Sequence, residues 1–140
     1  MRAFTVFALL LIVPSAFAVD QSGNHFLVGD WVWTWSKNNC TENYTFRPDG
    51  TAYFVSGKEE FDMKYALSGT TNPNGRRALL LDTVKDHGGK GCVDSTEDET
   101  GKSYSLYVEF SNSKTMMKIC HEAVSGRCYG PIRKLTDSGK

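Results

Sequence analysis

The segment Leu27-Val28-Gly29-Asp30-Trp31-Val32-Trp33-Thr34-Trp35 places three tryptophans two residues apart. A period of two puts all three indoles on one face of a β-strand. So much aromatic surface on one face calls for a closed core to bury it. The same alternation recurs down the chain. Tyr44 and Phe46 share a face of a second strand over residues 42–47. Pro48-Asp49-Gly50 then turns the chain, because proline presets φ and Asp-Gly tolerates left-handed geometry. A third strand covers 51–56, with Tyr53 and Phe54 on opposite faces. In the fourth, Phe61, Met63, Tyr65 and Leu67 alternate with Asp62, Lys64, Ala66 and Ser68. That is the pattern of a strand with one buried and one wet face.

A loop over 69–75, with Asn72-Pro73-Asn74-Gly75, leads to a fifth strand from 77 to about 84. Residues 85–102 are polar and glycine-rich, with Gly88, Gly89, Gly91 and Gly101 beside Asp94, Glu97, Asp98 and Glu99. Such a stretch suits no core element. Long irregular loops in small domains are often lids or binding loops. Strands over 103–110, 115–121 and 127–135 complete the set, with Tyr104, Leu106, Val108 and Phe110 facing inward, and 136–140 forms a frayed tail. No segment shows a sustained helical period or an internal repeat. The expected fold is all-β: one antiparallel eight-stranded meander, closed into a barrel that leaves no exposed edges. A two-sheet sandwich is the competing architecture.

The amino terminus changes the setting. Arg2, an apolar run over 3–13 and Ala16-Phe17-Ala18 form a signal peptide, so residues 1–18 are expected to be removed and 19–140 to form one domain. The run is too short for a membrane span. Val19 and Asp20 follow the cleavage site, so no cysteine is placed for a lipid anchor. Export, to the periplasm or the medium, explains Cys40, Cys92, Cys120 and Cys128 as two disulfides. Of three possible pairings, Cys120 with Cys128 closes a hairpin, and Cys40 with Cys92 ties an early loop to the long one. Asn39-Cys40-Thr41 and Asn43-Tyr44-Thr45 match the glycosylation sequon, which has meaning only in a eukaryotic secretory route. The compact signal peptide points instead to bacterial export.

Loss of Arg2 leaves one more acidic than basic side chain. Near-neutrality argues against nucleic acid, whose phosphates demand surplus Lys and Arg. The chain is expected as a monomer without cofactor or metal. His121 adjoins Cys120, but no repeated Cys-x-x-Cys or His-x-x-x-His spacing accompanies it. Asp94 to Glu99 lacks the spacing of a calcium loop. His87 follows Asp86, yet no nucleophile elbow or metalloprotease motif is present, so no catalytic residue is assigned and the protein is read as no enzyme.

Gly29-Asp30-Trp31 resembles the Gly-x-Trp signature that opens the first strand of lipocalins and related calycins. The resemblance implies an eight-stranded barrel with Trp31 closing one end. It also implies an arginine of the last strand, here Arg133, packed across the indole; a guanidinium stacks well on such a face. The chain is shorter than a usual lipocalin and has no segment for the family's C-terminal helix. The implied function is non-catalytic binding of a small, partly apolar ligand in the barrel mouth, with residues 85–102 as the rim. Trp33, Trp35, Tyr53, Tyr65 and Tyr104 are the expected ligand contacts, and together with Phe46 they could equally fill the interior. Small exported barrels of this kind also resemble periplasmic inhibitors of proteases. In those a solid barrel would meet a protein partner through residues 19–25 or the long loop. A cavity discriminates the two, because only the ligand binder needs one.

Overall fold

The alternation written in the sequence becomes eight antiparallel strands. The structure is a computed structural model that describes residues 26–136. The strands are β1 Gly29–Thr34, β2 Thr41–Phe46, β3 Thr51–Ser56, β4 Glu59–Leu67, β5 Arg76–Asp86, β6 Ser103–Phe110, β7 Met116–Cys120 and β8 Cys128–Lys134. Each pairs with the next, and β8 returns to β1, so the sheet is a closed barrel. No sandwich forms, and no helix among the described residues is long and apolar enough to cross a membrane. The expected signal peptide, the segment 19–25 and the end of the tail lie outside the described residues.

Inward positions supply the core. Trp31, Phe46, Ala52, Met63, Leu79, Val108, Met117 and Ile132 are all buried within it. Leu27 and Trp31 are fully buried, and the Trp31 Nε1–H donates to the Leu27 carbonyl at 2.8 Å. Phe110 lies beside the indole, with ring centroids 6.2 Å apart. This end of the barrel is filled. Phe46 packs edge-on against Tyr65 at 5.1 Å, and the Tyr65 hydroxyl donates to the Arg47 carbonyl at 2.7 Å. Tyr65 is therefore a satisfied core residue rather than a ligand contact, because its one polar atom is already taken by backbone.

The residue across Trp31 is not Arg133. The register sets Trp31 opposite Lys134 and Val32 opposite Arg133. Adjacent strand residues face opposite ways, so Lys134 shares the inner face with Trp31 and Ile132, and Arg133 is exposed. The Lys134 ammonium sits 5.2 Å from the indole centroid and donates to the Phe26 carbonyl at 3.2 Å. Gly29, at φ +127°, passes close under the lysine stem, where a side chain would collide with Cε. The cation over the tryptophan is thus kept, but one residue further along.

β5 runs to Asp86, beyond the expected end near 84. Met63 pairs with Thr83 and Phe61 with Asp86, so β5 carries an extra residue and bulges. The bulge reverses the alternation: Leu79, Leu81 and Thr83 face inward before it, and Asp86 does so after it. Both expected disulfides form, Cys40–Cys92 and Cys120–Cys128. The hairpin beyond Cys120 is held from outside: the Arg76 guanidinium donates to the Glu122 carbonyl at 2.7 Å, and the Asn72 amide donates to the Ala123 carbonyl at 2.8 Å.

Two substitutions test the closed end. Trp31→Ala should cost about 3–5 kcal/mol, the usual range for emptying a buried aromatic site. Lys134→Ala should cost about 1 kcal/mol through the lost cation–π contact, whereas Arg133→Ala should stay within about 0.5 kcal/mol of wild type. Urea unfolding of the three variants measures the order, and an Arg133 effect exceeding that of Lys134 would refute the pairing of Trp31 with Lys134.

Candidate functional site

At the opposite end the inward rows change character. The last inward residues of β2 and β3 and the first of β4 are Glu42, Ser56 and Glu59, paired side by side in one row across the strands. Below them lie Tyr44, Phe54 and Phe61, also in one row. Polar residues over aromatic ones leave a cavity of about 270 Å³, open at its mouth. Phe54, Phe61, Met63, Leu81 and Leu106 form its apolar lining, and Glu42, Glu59, Glu99, Tyr44 and Tyr104 supply most of its polar atoms. Tyr44 meets Phe54 edge-on at 5.0 Å, so the aromatic floor is braced laterally.

The polar rim is organised by hydrogen bonds to carboxylates. The Tyr44 phenol and the Ser56 hydroxyl both donate to Glu42, the latter at 3.0 Å. Burial, then the adjacent Glu42 charge, pushes the Tyr44 phenol well above its usual range, so it stays a donor. The Tyr104 phenol donates to Glu99 and is pushed up to about 12, first by burial and then by that hydrogen bond. Glu99 is held below the usual carboxylate range by the Tyr104 hydrogen bond and then by Lys102, whose ammonium lies 2.9 Å from it. Glu59 is different. Burial and then the neighbouring Asp86 and Glu99 carboxylates raise it, and among the described residues it has no salt-bridge partner.

The rim loop is sewn down rather than loose. The Asp86 carboxylate, turned inward by the bulge, accepts the Gly88 N–H at 2.7 Å and the Glu99 N–H at 2.9 Å. Its own N–H donates to Thr100 Oγ1 at 3.0 Å. One side chain thus fixes both ends of the loop. The middle is held by Cys40–Cys92, by the Cys92 N–H donating to Ser56 Oγ at 3.0 Å, and by the Lys58 N–H donating to the Lys90 carbonyl at 2.9 Å. Gly89, at φ +113°, lies so close to the Lys58 carbonyl that a Cβ there would collide with it. Ser56 therefore bridges the site and the loop: its hydroxyl donates to Glu42 and accepts from Cys92.

The sequence-predicted contacts divide. Tyr104 lines the cavity. Tyr65 belongs to the filled end, where the Arg47 carbonyl takes its hydroxyl. Tyr53 alternates with inward Ala52 and Phe54 and stands on the outer face opposite Thr45 and Asp62, so it faces no cavity. Trp33 and Trp35 are absent from the cavity lining. They stack on each other at 4.8 Å, and Trp33 meets Tyr129 at 5.6 Å. Trp35 lies past the end of β1, in a turn closed by the Asn39 N–H donating to the Trp35 carbonyl at 2.8 Å. Its indole nonetheless stays beside that of Trp33, and both meet Tyr129, Trp35 at 6.3 Å. His87 does not meet Asp86. It pairs instead with Asp62 at 2.8 Å. Among the described residues no group of three His, Cys, Asp or Glu could hold a metal ion.

Glu42, Tyr44, Glu59, Phe54, Phe61 and Leu106 do not stand out as ligand contacts in the sequence. Glu42 was in reach, since it alternates with Tyr44 and Phe46. Glu59 was equally in reach, since it alternates with Phe61 and Met63 in β4, whereas Glu99 was not, because the rim loop brings it in.

Glu59 offers a check on the electrostatics. A carboxyl whose folded pKa is raised favours the fold when protonated, so its ionisation opposes folding at neutral pH. Glu59→Gln should therefore melt higher than wild type at pH 7. The difference should shrink as pH falls to the unfolded value of 4.5, where the wild-type side chain is also becoming neutral. Melting curves across about pH 3–8 measure this; a variant less stable at pH 7 would contradict it.

No family model, curated protein or solved structure matches the chain significantly.

Proposed function

We propose that this protein is an exported, non-catalytic binding protein of lipocalin-like type, taking a small, partly apolar ligand into the mouth of its barrel. The cavity of about 270 Å³ above the Tyr44–Phe54–Phe61 row carries this reading. It lies just below the range of about 300–1,000 Å³ for ligand sites, which suits a small aromatic ligand. Apolar walls supply affinity by removing surface from water, and a few convergent polar groups fix orientation. Both features are present here. The rim is also preorganised: Asp86 and Cys40–Cys92 hold the loop before any ligand arrives, so little ordering would be needed on binding. The eight-stranded meander and Gly29-Asp30-Trp31 are consistent with a lipocalin-like barrel, and the signal sequence with two disulfides is consistent with export.

N-phenyl-1-naphthylamine, a neutral dye that brightens in apolar surroundings, provides the test. The folded protein should bind one equivalent saturably. Leu106→Trp should fill the cavity and weaken binding at least tenfold while circular dichroism stays native. Absence of saturable binding, or full binding by a folded Leu106→Trp protein, would overturn the proposal.

A further inference from the structure

The cavity lining holds three carboxylates and no lysine, arginine or histidine. Their compensation is unequal. Glu99 has Lys102 at 2.9 Å, and Lys102 also reaches Glu97 at 2.8 Å. Glu42 and Glu59 have no salt-bridge partner among the described residues. Among the described residues Glu42 is met by the neutral hydroxyls of Tyr44 and Ser56, which bring no compensating charge and leave spare acceptor capacity. Glu59 lies against Gly91, where a Cβ would strike its Oε2. The two flank Ser56 in the row across β2, β3 and β4, directly over the aromatic floor.

We infer that the ligand is an organic monocation, a primary ammonium carried on an aromatic body, with the ammonium between Glu42 and Glu59 and the body against Phe54, Phe61 and Leu106. This rests on the binding function proposed above and names its ligand class. Two carboxylates without a cation at the mouth of one apolar cavity are costly to desolvate. A cation placed between them compensates both and can donate to each. A bare metal ion fits poorly, because no three candidate ligand residues come together among the described residues. A carboxylate ligand would meet only repulsion at this rim. Aromatic faces beneath the ammonium add cation–π attraction.

Three naphthalenes of nearly equal size separate the possibilities: 1-naphthylmethylamine as cation, 1-naphthalenemethanol as neutral analogue and 1-naphthoate as anion. Each displaces the bound neutral dye from the full exported chain at pH 7 and low salt. The amine should bind at least tenfold tighter than the alcohol, and the anion weakest. In Glu42→Gln and Glu59→Gln proteins the ratio of amine to alcohol affinity should fall several-fold. The unmodified protein gives an independent reading: the preference should fade as pH drops through the carboxylate range and as salt rises. Equal binding of amine and alcohol, or tighter binding of the anion, would overturn the inference and leave the binding function standing. Failure of all three and of the dye would remove the binding function itself.

Discussion

The barrel depends on the contact between Trp31 and Lys134. A meander becomes a barrel only when its last strand returns to its first, and here that seam pairs Trp31 with Lys134 and Val32 with Arg133. Extra hold comes from the Leu135 N–H donating to the Asp30 carbonyl at 2.8 Å. The indole is fully buried, its N–H is satisfied by Leu27, and its face is covered by the lysine ammonium. A one-residue slip of β8 would exchange Lys134 for Arg133 and turn Ile132 to solvent. The seam is short, so its specificity comes from what is buried there.

Filling one end leaves the other free to differ. Below the Tyr44–Phe54–Phe61 row the interior is hydrophobic side chains in contact. Above it the inward positions become Glu42, Ser56 and Glu59, and packing gives way to a cavity. The Glu59 carboxylate opposes folding when ionised, because burial and then Asp86 and Glu99 raise it. Residues that are unfavourable to the fold yet converge on a cavity are the usual mark of a site shaped for something else. The Cys40–Cys92 bridge and the Asp86 clasp secure this end, where the core does not.

The β5 bulge links the two halves. Without its extra residue Asp86 would point outward, and the rim loop would lose the carboxylate that takes the Gly88 and Glu99 N–H groups. Glu99 in turn would lose the anchor that sets it beside Tyr104 and Lys102. One inserted residue in a strand thus reaches the electrostatics of the mouth.

Alternation alone determined much of this protein. The strands and the meander follow from a period of two and turn residues, which are local signals; closure into a barrel rather than a sandwich, and one pairing of four cysteines out of three, were expectations that the closed strand order and the two disulfides bear out. The site was legible only in part. Tyr104 follows from its row, and Glu42 could have done so, since each shares a face with apolar neighbours. Tertiary structure decided the rest. Lys134 replaced Arg133 because register, which no single strand encodes, chose the residue opposite Trp31. Asp86 turned inward through a bulge invisible to a simple alternation. Glu99 reached the cavity through a loop whose path is fixed by contacts far apart in sequence. Period and turn chemistry are properties of neighbouring residues; charge convergence is a property of the closed barrel.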